Sequence, residues 1–232
     1  MIDIKGKWAL VTGASRGIGK QVSIALAEKG CNLIIHSRDL SHTEKLAEEI
    51  SSRNVKVFQV QAELVETKEV RRLAGEAEKL SGGLDILFNN AAIMTQYRTD
   101  YFITEETDYI RSFTVNTIAP IMLCNLIIPS MIKRGFGRVV NVTSGIKDEP
   151  QLMPYAASKA ALDKYVTDMA KHLSSTGVLM NLLDPGWLRT DLGGPNAPNP
   201  VESVIPGALV PVLLDDDTCG KLFRAQEYRE AS

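Results

Sequence analysis

The chain has few of the features that staple small or extracellular proteins. Its three cysteines, Cys31, Cys124 and Cys219, are odd in number and widely spaced, with no CxxC pair. Neither a disulfide framework nor a metal knuckle is indicated, and no metal is expected. A charge excess of one sign is also missing: 26 basic against 28 acidic side chains leave a net charge of −2. A nucleic-acid binder would present a strongly basic face, so no nucleic-acid partner is expected. Long hydrophobic runs are absent as well. The most apolar stretch, residues 118–131, is interrupted by Pro120, Asn125 and Pro129 and falls short of the roughly 20 apolar residues that cross a bilayer. The N-terminal residues include Asp3, Lys5 and Lys7 and run into a strand-like segment, unlike a signal peptide. No membrane partner is expected, and the cytoplasm is the default compartment.

What remains is an ordinary globular composition, 44% hydrophobic and 23% charged over 232 residues, long enough to bury roughly 70% of its unfolded surface. A single domain over 1–232 is expected. Short β-branched runs at 8–11, 33–35, 55–60, 86–88, 139–142 and 178–183 suit strands buried on both faces of a parallel sheet. Helical patterns lie between them at 18–29, 41–52, 68–80, about 105–134 and 155–174. In 68–80, Val70, Leu73, Ala74, Ala77 and Leu80 recur every three or four residues, one buried face of an amphipathic helix. Gly30, Gly82 and Gly177 follow helical runs, where a left-handed cap favours glycine. This alternation predicts right-handed crossovers in a doubly wound α/β parallel sheet, Rossmann-type, of about seven strands with helices on both faces. The Pro-, Gly- and Asn-rich stretch 193–211 reads as a loop with one short helix, part of a substrate loop at about 187–211.

Thr12-Gly13-Ala14-Ser15-Arg16-Gly17-Ile18-Gly19 joins the first strand to the first helix. A helix N-terminus there offers free N–H groups to a pyrophosphate, and the glycines let the backbone turn tightly and approach it. The spacing is G-x-x-x-G-x-G, so its position carries the argument more than its pattern; a plain strand-to-helix turn is the rival reading. At the end of the second strand Ser37 takes the place where an acidic residue would bind the ribose hydroxyls, and Arg38 follows it. Arg16 and Arg38 together could grip a 2′-phosphate, so NADP is the preferred cofactor and NAD the possible one; solvated surface arginines are the plainer reading. Tyr155 and Lys159 stand at i and i+4 on one helix face, where an ammonium would draw a phenol towards neutrality and let it exchange protons with a carbonyl or alcohol. The pair alone is a short motif that recurs by chance.

Taken together, Thr12 to Gly19, Asn89-Asn90-Ala91-Ala92, Asn116, Val142-Thr143-Ser144, Tyr155 to Lys159 and Asp184-Pro185-Gly186 with Thr190 follow one order across residues 12–190. In them the chain resembles the short-chain dehydrogenase/reductase family in its single-domain form. The resemblance implies that Tyr155 is the acid/base, that Lys159 lowers its pKa and holds the nicotinamide ribose, and that Ser144 bonds the substrate oxygen. It implies that Asn116 holds a water in a proton relay, and that Gly13, Ser15, Arg16, Gly17, Ile18, Gly19, Ser37, Arg38, Glu63, Asn89, Ala91, Pro185, Gly186 and Thr190 line the cofactor. Departures are Ala92 where the family has glycine, Glu63 where it has Asp, and a Ser144-to-Tyr155 interval shorter than usual. A last strand is expected at 219–223, without the family's glycine-rich ending. Trp187 and Gly193-Gly194-Pro195-Asn196 look more like the carbonyl-reductase branch. The expectation is NADPH-dependent reduction of a ketone or aldehyde by a homodimer or homotetramer. The rivals are alcohol oxidation at the same residues and a dinucleotide sensor without turnover. Pocket walls are expected at 93–101, 146–154 and 187–206.

Overall fold

In the computed structural model, residues 1–229 are described, so the end of the charged tail and of the 1–232 unit, residues 230–232, lies outside the described residues. Seven strands form the sheet: β1 (Trp8–Val11), β2 (Asn32–Ser37), β3 (Val57–Gln61), β4 (Ile86–Asn89), β5 (Gly137–Val142), β6 (Val178–Asp184) and β7 (Leu222–Arg224). All pair in parallel, in the order β3-β2-β1-β4-β5-β6-β7. Their β-branched and leucine-rich runs are buried on both faces, as in Leu33, Ile34 and Ile35 or Ile86, Leu87 and Phe88. Each fully buried Leu, Ile or Phe contributes roughly 1.5–3 kcal/mol.

One face is covered by α1 (Gly17–Glu28), α2 (Glu44–Ser51) and the segment 201–212; the other by α3 (Thr67–Ser81), α5 (Ala119–Arg134) and α6 (Met153–Ala170). The first three strands step outward from β1, and the chain then returns to place β4 on β1's other side. That reversal opens a crevice at the strands' carboxyl ends, the ligand position of doubly wound sheets.

Three departures from the sequence expectation have local causes. The long helix runs Glu106–Arg134, but α4 (Glu106–Phe113) passes into a π turn at Thr114–Ile118 before α5 begins. Such single wide turns are frequent at functional sites, and this one carries Asn116. By length and composition that continuous helix is apolar enough to cross a bilayer, the interrupting prolines notwithstanding. Leu123, Cys124, Ile127 and Met131 are nevertheless buried in the layer beneath the sheet, which makes it a core helix. The last strand starts at Leu222 rather than 219, because the Asn181 side chain occupies the ladder: its Nδ2 donates to the Thr218 carbonyl and its Oδ1 accepts from Lys221 N. Segment 193–211 holds two 3-10 turns, Val201–Val204 and Gly207–Val212, whose Val204, Ala208, Leu209 and Val212 pack into the first face.

Candidate active site

At the end of β1 the chain turns with Gly13 at φ 66° and Gly17 at φ 57°, left-handed values that favour glycine. Gly19 is required for a different reason. A Cβ there would sit 2.3 Å from the Gly13 carbonyl oxygen and 2.6 Å from Asn90 Nδ2. Arg16, at the N-cap of α1, makes no side-chain cap bond, and the first turn holds no acid. The first amides of α1 have no partner within the helix, and α1 begins at the carboxyl end of β1, a position that fits an anionic pyrophosphate. Ser15 lies in the same turn, and Ile18 packs against the core.

Asn90, which the sequence reading did not single out, fastens this turn. Its main-chain N donates to Thr12 Oγ1 at 3.0 Å, and its Nδ2 donates to the carbonyls of Thr12 and Gly13 at 2.9 and 3.1 Å. Ala91 N donates to the same Thr12 hydroxyl at 3.1 Å. Asn89, singled out in its stead, turns into the layer under the sheet, donating to Asn141 Oδ1 at 2.9 Å. Strand alternation sends neighbouring side chains to opposite faces, so only one of the two could reach the turn.

At the ends of β2 and β3, Ser37 is buried with its hydroxyl donating to the Asp39 carbonyl, while Arg38 and Glu63 are exposed. Arg16 is paired elsewhere: its Nη1 lies 2.8 Å from Asp191 Oδ2. The segment after β6 thus reaches over the glycine turn. Thr190's methyl is 3.6 Å from where a Cβ on Gly17 would stand, Thr190 Oγ1 accepts from Gly193 N, and Pro185 is buried beside Gly186 at φ 79°.

On the other side of the crevice stand the end of β5 and the start of α6. The Ser144 hydroxyl stands beside the Tyr155 phenol and accepts from Ile146 N at 3.2 Å. Burial raises the Tyr155 pKa, the Asp184 carboxylate adds to the rise, and the Ser144 side chain opposes it. Lys159 is buried, and burial pushes its ammonium down to about 8 against the pull of Asp163. Its Nζ donates to the Val142 carbonyl at 2.7 Å and lies 5.9 Å from the Tyr155 ring centre. The ammonium does not contribute to the phenol's shift here: it donates to a main-chain oxygen, and burial sets the direction of the Tyr155 shift. Asn116, fully buried, accepts from Ile93 N and donates to Ile93 O, both at 2.9 Å, and donates to Ser158 Oγ at 3.0 Å. Ser158 in turn donates to the Tyr155 carbonyl, so Asn116 clamps the segment after β4 to the helix that bears Tyr155.

A seven-stranded parallel sheet wound in both directions, with a glycine turn at its first βα junction, defines a Rossmann-type protein. The chain belongs to the short chain dehydrogenase family, whose match extends over residues 7–200. A short chain dehydrogenase of Pseudocercospora fijiensis is 33% identical over 199 residues, 84% of this chain, and the chain spans 63% of that relative's length. The 3-oxoacyl-(acyl-carrier-protein) reductase FabG of Aquifex aeolicus is 32% identical over 195 residues, covering 82% of this chain and 77% of the relative. Among solved structures, a metagenomic short-chain oxidoreductase in complex with NADP superposes with a TM-score of 0.82 at 25% identity, over 96% of this chain and 99% of that one.

Proposed function

We propose that the protein reduces a ketone or aldehyde with NADPH. One observation carries this reading: Ser144 stands beside the Tyr155 phenol, with the Lys159 ammonium one helical turn on, at the carboxyl end of the parallel sheet where α1 also begins. When bound, the reduced nicotinamide supplies hydride. The protein's own groups orient and polarise the carbonyl and handle the proton. Ser144 and Tyr155 present two O–H donors in place before charge develops on the substrate oxygen, and the Tyr155 O–H delivers its proton there. A raised phenol pKa keeps that proton in place at neutral pH, ready for the substrate oxygen. With a pKa of about 8, Lys159 remains mostly cationic near pH 7 and is one turn away to steady the phenolate. Asn116 keeps the wall at Ile93 in register with α6.

The NADP preference rests on Arg16, Arg38 and the missing carboxylate at Ser37, and the NADP-bound relative supports it. Asp191 competes for Arg16. Asp191→Asn is expected to tighten NADPH two- to fivefold, since an exposed pair is worth at most about 1 kcal/mol, and to leave NADH affinity where it was. Fluorescence titration reads both; an equal gain for the two cofactors would refute Arg16 as a phosphate ligand.

For substrate, the surrounding walls combine exposed Tyr97, Met153, Trp187 and Leu192 with Lys147, Asp148 and Glu149 at the outer edge, a surface suited to a medium-sized carbonyl compound. Exposed Ile118, Leu126 and Ile132 along the long helix support assembly into a homodimer or homotetramer, and a cytoplasmic location completes the reading. A panel of ketones and aldehydes followed at the NADPH absorbance band tests the proposal. Consumption with at least one of them is expected; silence across the panel with NADPH bound would favour a dinucleotide sensor.

A further inference from the structure

His36 lies on β2, away from the groups that exchange protons, and is 2% exposed. Its ring is held at both ends. Nδ1 faces Gly13 N at 3.2 Å, and Nε2 faces the Ala62 carbonyl at 3.0 Å. An amide N–H only donates and a carbonyl only accepts, so Nδ1 must be bare and Nε2 must carry the proton. The ring therefore reaches from the turn after β1 to the segment after β3, where Glu63 stands. The residue's own carbonyl adds a third tie by accepting from Ala14 N at 2.9 Å. Gly13 itself leaves no slack: a Cβ on it would lie 2.9 Å from Ala91 Cα.

We propose that His36, as the neutral Nε2–H tautomer, is a positioning residue that fixes Gly13 and thereby sets the glycine turn for the dinucleotide. This rests on the dinucleotide reading above. A cationic ring would turn a second N–H against the Gly13 amide and undo the tie. The surroundings keep it neutral: burial pushes its pKa down to about 4, with the Glu63 carboxylate favouring the cation and the Arg72 guanidinium opposing it. The folded value lies below the unfolded 6.5, so the unfolded chain binds the extra proton. Stability is full above pH 6.5 and falls as the pH drops through about 4.

The test compares wild type with His36→Ala and His36→Asn, the latter offering its Oδ1 to Gly13 N. NADPH titration of wild type and His36→Ala should show at least a fivefold weaker complex for the alanine variant, the order expected for a buried donor left without its acceptor. His36→Asn should recover binding to within about threefold of wild type, and its stability should fall less steeply between pH 6.5 and 4 than that of wild type. Ring nitrogen shifts of the wild type should show Nδ1 unprotonated at neutral pH. If His36→Ala fails to fold, the asparagine variant decides: fivefold weaker binding there overturns the proposal, as does unchanged binding in a folded alanine variant or a proton found on Nδ1. A wild type that binds neither NADPH nor NADH defeats the dinucleotide reading and this proposal with it. Binding by wild type with no response to His36 defeats this proposal alone.

Discussion

Tyr155→Phe is expected to bind NADPH like the wild type and to lose at least about 10²-fold in turnover, the lower range for a positioned general acid. Removing the hydroxyl leaves the glycine turn, Arg16 and Arg38 untouched. What disappears is one of two donors to the substrate oxygen and the proton that must reach it. Ser144 keeps its bond to Ile146 N and does not replace that proton, because an alkyl hydroxyl is a far weaker acid than a phenol. Steady-state rates at saturating NADPH, beside a fluorescence titration of the cofactor, separate the two effects. Turnover retained in the variant would remove Tyr155 from the chemistry.

Gly19→Ala attacks the other half of the site. The added methyl would meet the Gly13 carbonyl oxygen at 2.3 Å and Asn90 Nδ2 at 2.6 Å. The first of these is main chain and cannot swing aside. Either the turn moves off Asn90 or α1 shifts along its axis, and overpacking of this kind costs about 1–3 kcal/mol. NADPH affinity should fall at least about tenfold, since a tenfold change corresponds to about 1.4 kcal/mol, with a lower melting temperature. A variant that folds and binds NADPH like the wild type would show that the turn does not hold the cofactor.

Much of this architecture is legible in the chain because burial on both sheet faces forces unbroken apolar runs. That is why β1, β4, β5 and β6 fall close to where composition places them. Gly30 and Gly82, at φ 76° and 70°, follow their helices as expected because a left-handed cap favours glycine, whereas α6 already ends at Ala170, before Gly177. Local periodicity could not reveal the π turn at Thr114–Ile118, since one wide turn shifts the helical phase without changing residue type. The start of β7 depends on a single side chain, Asn181, placed in the ladder by a partner some forty residues away.

The candidate site divides along the same line. Residue types and their order point to Ser144, Tyr155, Lys159 and the glycine turn. Long-range geometry decides the rest: which of Asn89 and Asn90 meets Thr12, that Arg16 meets Asp191, and that Lys159 rests on the Val142 carbonyl. His36 was invisible for a similar reason, because a histidine in an apolar strand has no local signature of the two groups it joins.

The proposed reaction is one hydride transfer, from a dinucleotide seated at the first βα junction to a carbonyl carbon facing Tyr155. With NADPH carrying two deuterium atoms at C4 of the nicotinamide and a carbonyl compound the enzyme consumes, mass spectrometry of the alcohol should find a single deuterium on the former carbonyl carbon. Alcohol formed without that label, or cofactor oxidised while the carbonyl compound is recovered unchanged, would contradict it.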